Sequence, residues 1–215
     1  MKGQANTFRV APFMAPNASS GSNMTAFYDM DNKRFVRHVG SEGSMSFMPA
    51  TDTLFDYNTG KDLAYMTYTP FANGNVFAIL RESDRSKYYL ARFTLGSSTK
   101  QVDYDEMTAT DIDKASFFAV SPDFGYIFYT VGAKLYSYDI SAMASKLMMD
   151  KGNKVFTQLR FRNSELVAAS VDPGQPEGAN GTLEIFTVQP VQGPLVLQNS
   201  WSGVGKIVSF SYRVR

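Results

Sequence analysis

The stretch Ala119–Ile140, AVSPDFGYIFYTVGAKLYSYDI, alternates short runs of strand-forming residues with turn chemistry, and it constrains the fold more than any other part of the chain. Phe117–Val120 is a short apolar run, and Ser121-Pro122-Asp123-Phe124-Gly125 then supplies a proline that fixes φ and a glycine free to take positive φ. Tyr126–Thr130 reads as a second strand, Val131–Lys134 as a second turn and Leu135–Ile140 as a third strand. With a side-chain period of two, Leu135, Ser137 and Asp139 share one face and Tyr136, Tyr138 and Ile140 the other. Three strands joined by short turns predict an antiparallel meander.

Similar hairpins recur. Thr25–Val39 turns at Asp31-Asn32-Lys33, Asn75–Leu95 turns at Ser83–Ser86, and Leu166–Val188 is interrupted by the polar loop DPGQPEGANG at 172–181. Taking Phe35, Leu90, Tyr136 and Leu183 as equivalents, the separations are 55, 46 and 47 residues. A repeat near fifty residues with several short strands per unit is the sequence pattern of β-propeller blades, which bury their faces against one another. The expected fold is therefore all-β and propeller-like, with about four blades or part of a larger propeller. An irregular N-terminal segment, 1–23, precedes the propeller-like domain, 24–215. Within it, Ser46–Met48, Thr53–Phe55 and Leu63–Tyr68 supply the next strands. One short connecting helix is expected over AMASKLMM, with Ser141 as N-cap, good helix formers inside and Gly152 beyond the end. Met143, Met148 and Met149 read as packing residues.

Composition narrows the function classes. Hydrophobic residues at 44% against 19% charged, with 17 Phe and 12 Tyr, argue for a folded β-rich chain rather than a disordered one. Lys plus Arg number 21 and Asp plus Glu 20, so no basic excess suits a phosphate backbone and no nucleic-acid partner is expected. The chain has no cysteine, which removes disulfides, thiolate catalysis and thiolate metal sites together. MKGQANTFRVAPFMAPNASSGSN lacks the apolar core of a signal peptide. No run approaches the roughly 20 apolar residues of a membrane helix. A soluble chain, part of a larger protein, is the expectation from these features.

The tail NSWSGVGKIVSFSYRVR resembles the closing strand of the PKD-like lipoproteins of Bacteroidetes polysaccharide- and peptide-uptake loci. FYDMDNKRFVRH and GAKLYSYDI resemble the blade-ending hairpins of that family. The resemblance covers most of 24–215. It implies a propeller-like C-terminal portion, a location at the cell surface or outer membrane, and a glycan, a peptide or importer components as partners. The family's anchor cysteine and immunoglobulin-like region have no counterpart in this chain, so any membrane attachment would run through an anchor outside it. The family offers no catalytic residues to carry over.

Candidate sites are few. His38, the only histidine, would have to be the base of any Ser/His/Asp apparatus; flanked by Arg34 and Arg37, it reads as a surface or structural residue. One histidine and no cysteine leave only carboxylates for zinc. The acid pairs Asp29/Asp31, Asp103/Asp105 with Glu106, and Asp111/Asp113 lack the twelve-residue calcium loop and read as turn residues that bond their own backbone. No phosphate loop is present: Gly60-Lys61 precedes Asp62, and Gly203-Val204-Gly205-Lys206 reads as a turn. No cofactor is expected.

Aromatic residues remain as ligand-binding candidates, since sugar rings stack on exposed Trp and Tyr. Trp201 is the first, Tyr57 and Tyr104 the next; the structural alternative for Trp201, packing beneath the final blade, is the more economical reading. The function these features imply is a non-enzymatic binding or scaffolding module. The competing reading is a propeller glycoside hydrolase or lyase, which would need acids, or Tyr and Arg, converging at a central channel.

Overall fold

The structure, a computed structural model, describes residues 13–16, 22–41, 57–68, 75–94, 103–121, 123–162, 164–188 and 193–209. They form four antiparallel sheets, each a meander of four consecutive strands. Sheet I contains β1 (Phe13–Pro16), β2 (Ser22–Asp29), β3 (Arg34–Ser41) and β4 (Tyr57–Asn58). Sheet II contains β5 (Asp62–Tyr68), β6 (Asn75–Arg81), β7 (Tyr88–Thr94) and β8 (Asp103–Glu106). Sheet III contains β9 (Phe118–Val120), β10 (Tyr126–Val131), β11 (Lys134–Asp139) and β12 (Ala144–Asp150). Sheet IV contains β13 (Val155–Arg162), β14 (Glu165–Val171), β15 (Gly181–Val188) and β16 (Leu195–Val204). The chain divides into two compact units, Met1–Met107 with sheets I and II and Thr108–Arg215 with sheets III and IV.

The repeat is carried strand for strand. Phe35, Leu90, Tyr136 and Leu183 lie on β3, β7, β11 and β15, the third strand of each sheet. The hairpins read from Thr25–Val39, Asn75–Leu95, Ala119–Ile140 and Leu166–Val188 are all formed. Of the strands expected between 40 and 70, Leu63–Tyr68 lies in β5, while Ser46–Met48 and Thr53–Phe55 lie outside the described residues.

Two expectations are corrected. The segment 1–23 is not irregular throughout: β1 pairs with β2 from Phe13↔Ala26 to Pro16↔Asn23. Pro16 ends that strand at the edge of the sheet, where its missing N–H breaks no central ladder.

The second correction concerns the helix expected over AMASKLMM. The segment is strand β12, paired with β11 from Asp139↔Ala144 to Lys134↔Asp150. Asp139, not Ser141, is the local cap. Its Oδ1 accepts from Ser141 N at 2.8 Å and Ala142 N at 2.9 Å, closing a four-residue turn that ends with Met143 at φ +52°. A left-handed residue cannot belong to an α-helix, so good helix formers are overridden by the turn before them and the strand partner beside them. The same turn joins β2 to β3: Asp29 Oδ1 accepts from Asp31 N and Asn32 N, and Lys33 stands at φ +50°. Helical structure among the described residues is confined to a 3-10 turn at Ile112–Lys114.

Each unit has its own core. In the first, Tyr28 and Phe35 of sheet I pack edge to face at 4.9 Å and meet Met66, Val76, Ala78, Leu80 and Ala91 of sheet II. The register explains the choice: Met66 and Ala91 stand opposite Ala78, so one face of sheet II turns to sheet I. In the second unit, Ala119, Phe128 and Leu135 of sheet III meet Phe156, Leu159, Leu166, Ala168 and Phe186 of sheet IV. Phe128, Leu135 and Leu166 are fully buried, and burial of each such side chain contributes roughly 1.5–3 kcal/mol.

Gly181 opens β15 against the chain leaving β16. A Cβ there would stand 2.2 Å from the Gly205 carbonyl oxygen, so only glycine fits.

Candidate functional site

The charged groups of the described residues are largely held by internal partners. In the first unit, the connection from β4 to β5 is Thr59–Lys61. Thr59 N donates to the Lys33 carbonyl at 2.8 Å, and the Tyr28 hydroxyl lies 2.7 Å from Thr59 Oγ1 and donates to the Lys61 carbonyl at 2.5 Å. Burial pushes the Tyr28 phenol up to about 12. Lys61 Nζ pairs with Glu82 Oε1 at 2.9 Å and lies 4.5 Å from the Tyr89 ring centre and 5.7 Å from that of Tyr104. Tyr89 also donates to Glu82 at 3.0 Å. The hydrogen bond to Glu82 raises the Lys61 ammonium above its usual range, and the hydrogen bond from Lys61 lowers the Glu82 carboxyl.

The second unit repeats this arrangement in its own connection from β12 to β13, Lys151–Lys154. Lys151 Nζ pairs with the Glu184 carboxylate, lies 3.4 Å from Ser170 Oγ and stands 5.5 Å from the Phe156 ring centre. In each unit a lysine of the link between sheets is fixed by a glutamate and an aromatic ring of the following sheet.

The acid pairs serve turns and ladders. Asp29 is buried and bonded to Asn32 and Arg34; its burial opposes ionisation, but these donors outweigh it and hold its carboxyl below the usual range. Asp105 pairs with Arg92 at 2.5 Å, Glu106 with Lys87 at 2.9 Å and Asp111 with Lys114 at 2.7 Å. In the Ser121-Pro122-Asp123-Phe124-Gly125 turn, Asp123 Oδ1 accepts from Ser121 Oγ and Gly125 N. Among the described residues no group of three or more His, Asp and Glu converges as a metal site would require. His38 lies on β3 opposite Thr25; its side chain is outside the described residues.

The three aromatic candidates fall on three different sheets, each on the fourth strand: Tyr57 on β4, Tyr104 on β8 and Trp201 on β16. The Tyr57 side chain is outside the described residues. Tyr104 is half-buried and packs edge to face on Tyr89 at 5.7 Å beside Lys61, so it belongs to the sheet I–sheet II contact. Trp201 overturns the packing reading. It is 48% exposed, on a strand whose residues from Val196 to Val204 are all exposed.

β16 differs from the other closing strands. β8 reads DYDE and is covered by cross-strand ion pairs, and β12 carries Lys146 and Asp150. β16, LVLQNSWSGV, is ten residues long and has no charged residue. Trp201 stands opposite Leu183, Val196 opposite Thr187 and Val204 opposite Gly181. Leu183 in turn stands opposite Ala169, whose neighbour Ala168 faces the core with sheet III. Alternation therefore places Trp201, Val196 and Val204 on the face of sheet IV turned away from sheet III. These exposed apolar side chains make this face the candidate contact surface of the second unit. Sequence periodicity could not find it, because alternation does not say which strand ends a sheet.

Comparison with solved structures agrees on architecture. The chain is similar to a putative 6-phosphogluconolactonase from Bacteroides uniformis, with TM-score 0.54 and 14% identity over 92% of this chain and 57% of that one. It is also similar to the β-propeller domain of Cps50 (Swd1) from Myceliophteria thermophila, with TM-score 0.52 and 10% identity over 87% of this chain and 57% of that one. The chain thus spans little more than half the length of either structure. No family model matches it, and no curated protein does. At these identities the likeness concerns fold alone: the chain has an all-β, propeller-like architecture of four-stranded antiparallel blades.

Proposed function

We propose that this chain is a non-catalytic recognition or scaffolding module whose contact surface is the outward face of β16. The observation that carries the proposal is the contrast between two sets of residues. The acids and lysines described above are engaged in turns and blade contacts, whereas Trp201, Val196 and Val204 are exposed on one face of an uncharged strand. An indole and aliphatic side chains on a rigid strand suit an apolar contact, such as the C–H face of a sugar ring or an uncharged peptide. By its resemblance to the PKD-like lipoproteins, the module would work at the cell surface or outer membrane, beside an importer of glycans or peptides.

A glycan and peptide array probed with the purified chain and its Trp201→Ala variant tests this reading. Binding that falls at least tenfold in the variant supports it. Binding that is equal in both proteins moves the contact away from β16, and catalytic turnover of any arrayed glycan replaces the reading with the glycosidase one.

A further inference from the structure

We draw no further inference here: the strongest candidate, the apolar patch of Trp201, Val196 and Val204 on the face of sheet IV turned away from sheet III, belongs to the site already described, and nothing in the structure shows what covers it.

Discussion

Lys61 Nζ lies 2.9 Å from Glu82 Oε1, tying the link between sheets I and II to the residue that follows β6. Glu82 is held below its ordinary carboxyl range, first by the hydrogen bond from Lys61 and then by that from Tyr89. A folded-state value below the unfolded one gives stability that is present above the unfolded value and disappears as pH falls through the folded one. Asp29 and Asp139 are depressed as well, so the same sign applies to them. The expected outcome is a thermal midpoint that falls as pH is lowered below about 4.5. Glu82→Gln should melt earlier than the parent at pH 7, and the difference should shrink as the pH falls through that window. Differential scanning calorimetry from pH 7 to pH 3 measures it; a difference independent of pH would show that the pair does not couple protonation to folding.

The Lys151–Glu184 pair is more buried, with side-chain exposures of 8% and 15%. Removing one partner leaves a poorly solvated charge, and such losses run to about 3 kcal/mol. Glu184→Ala is therefore expected to lose about that much, measured by urea denaturation. The double variant Lys151→Met/Glu184→Leu should recover most of it, because an apolar pair leaves no unpartnered charge. A double variant as unstable as the single one would mean that the pair supplies specific attraction beyond mutual neutralisation.

How legible these features were depended on their range. Hairpins and blade repeat could be read because both signals are local: alternation within Tyr126–Val131 and Lys134–Asp139, and Gly or Asx residues in the turns between them. The helix reading of AMASKLMM failed within the same local logic. Propensity favoured helix, but the cap at Asp139 and the left-handed Met143 decide the backbone, and only the partner strand β11 reveals that β12 extends it. The Lys61–Glu82 and Lys151–Glu184 pairs are separated by 21 and 33 residues, and nothing near either lysine announces its glutamate. Trp201 was singled out by residue type, yet its exposure follows from β16 closing a sheet, which is a property of the assembled strands.

Two buried phenols predict behaviour at the other end of the pH scale. Burial, the leading cause in both, raises Tyr28 and Tyr129 to about 12 from the ordinary 10.0. Tyr129 lies 3.1 Å from Ser145 Oγ and donates to the Thr110 carbonyl at 2.7 Å, while its ring stacks on Tyr136. Because the folded value is the higher one, the stabilisation is complete below pH 10 and lost as pH rises towards 12. Absorbance at the phenolate band should therefore show these tyrosines ionising later than exposed ones, together with loss of β-sheet circular dichroism. Tyr28→Phe should lose some stability at pH 7, from the bonds to Thr59 and Lys61, but less further stability between pH 10 and 12 than the parent. An equal alkaline slope in both proteins would rule out Tyr28 as a cause of the alkaline transition.

Met143 tests the turn that displaced the expected helix. Its φ of +52° carries the steric cost that a Cβ meets in left-handed backbone, and its side chain is 49% exposed, so little packing offsets that cost. Its carbonyl accepts from Thr108 Oγ1 at 3.3 Å, a contact that any residue at this position keeps. Met143→Gly removes the Cβ while losing only an exposed side chain. The gain from relieved strain, about 1–2 kcal/mol, exceeds the roughly 0.5–1 kcal/mol that glycine costs through the freedom of the unfolded chain. The variant is expected to be more stable than the parent by about 0.5–1 kcal/mol in urea denaturation, whereas Met143→Val, β-branched and equally strained, should be less stable. If glycine destabilises, the side chain contributes more at this turn than its exposure indicates.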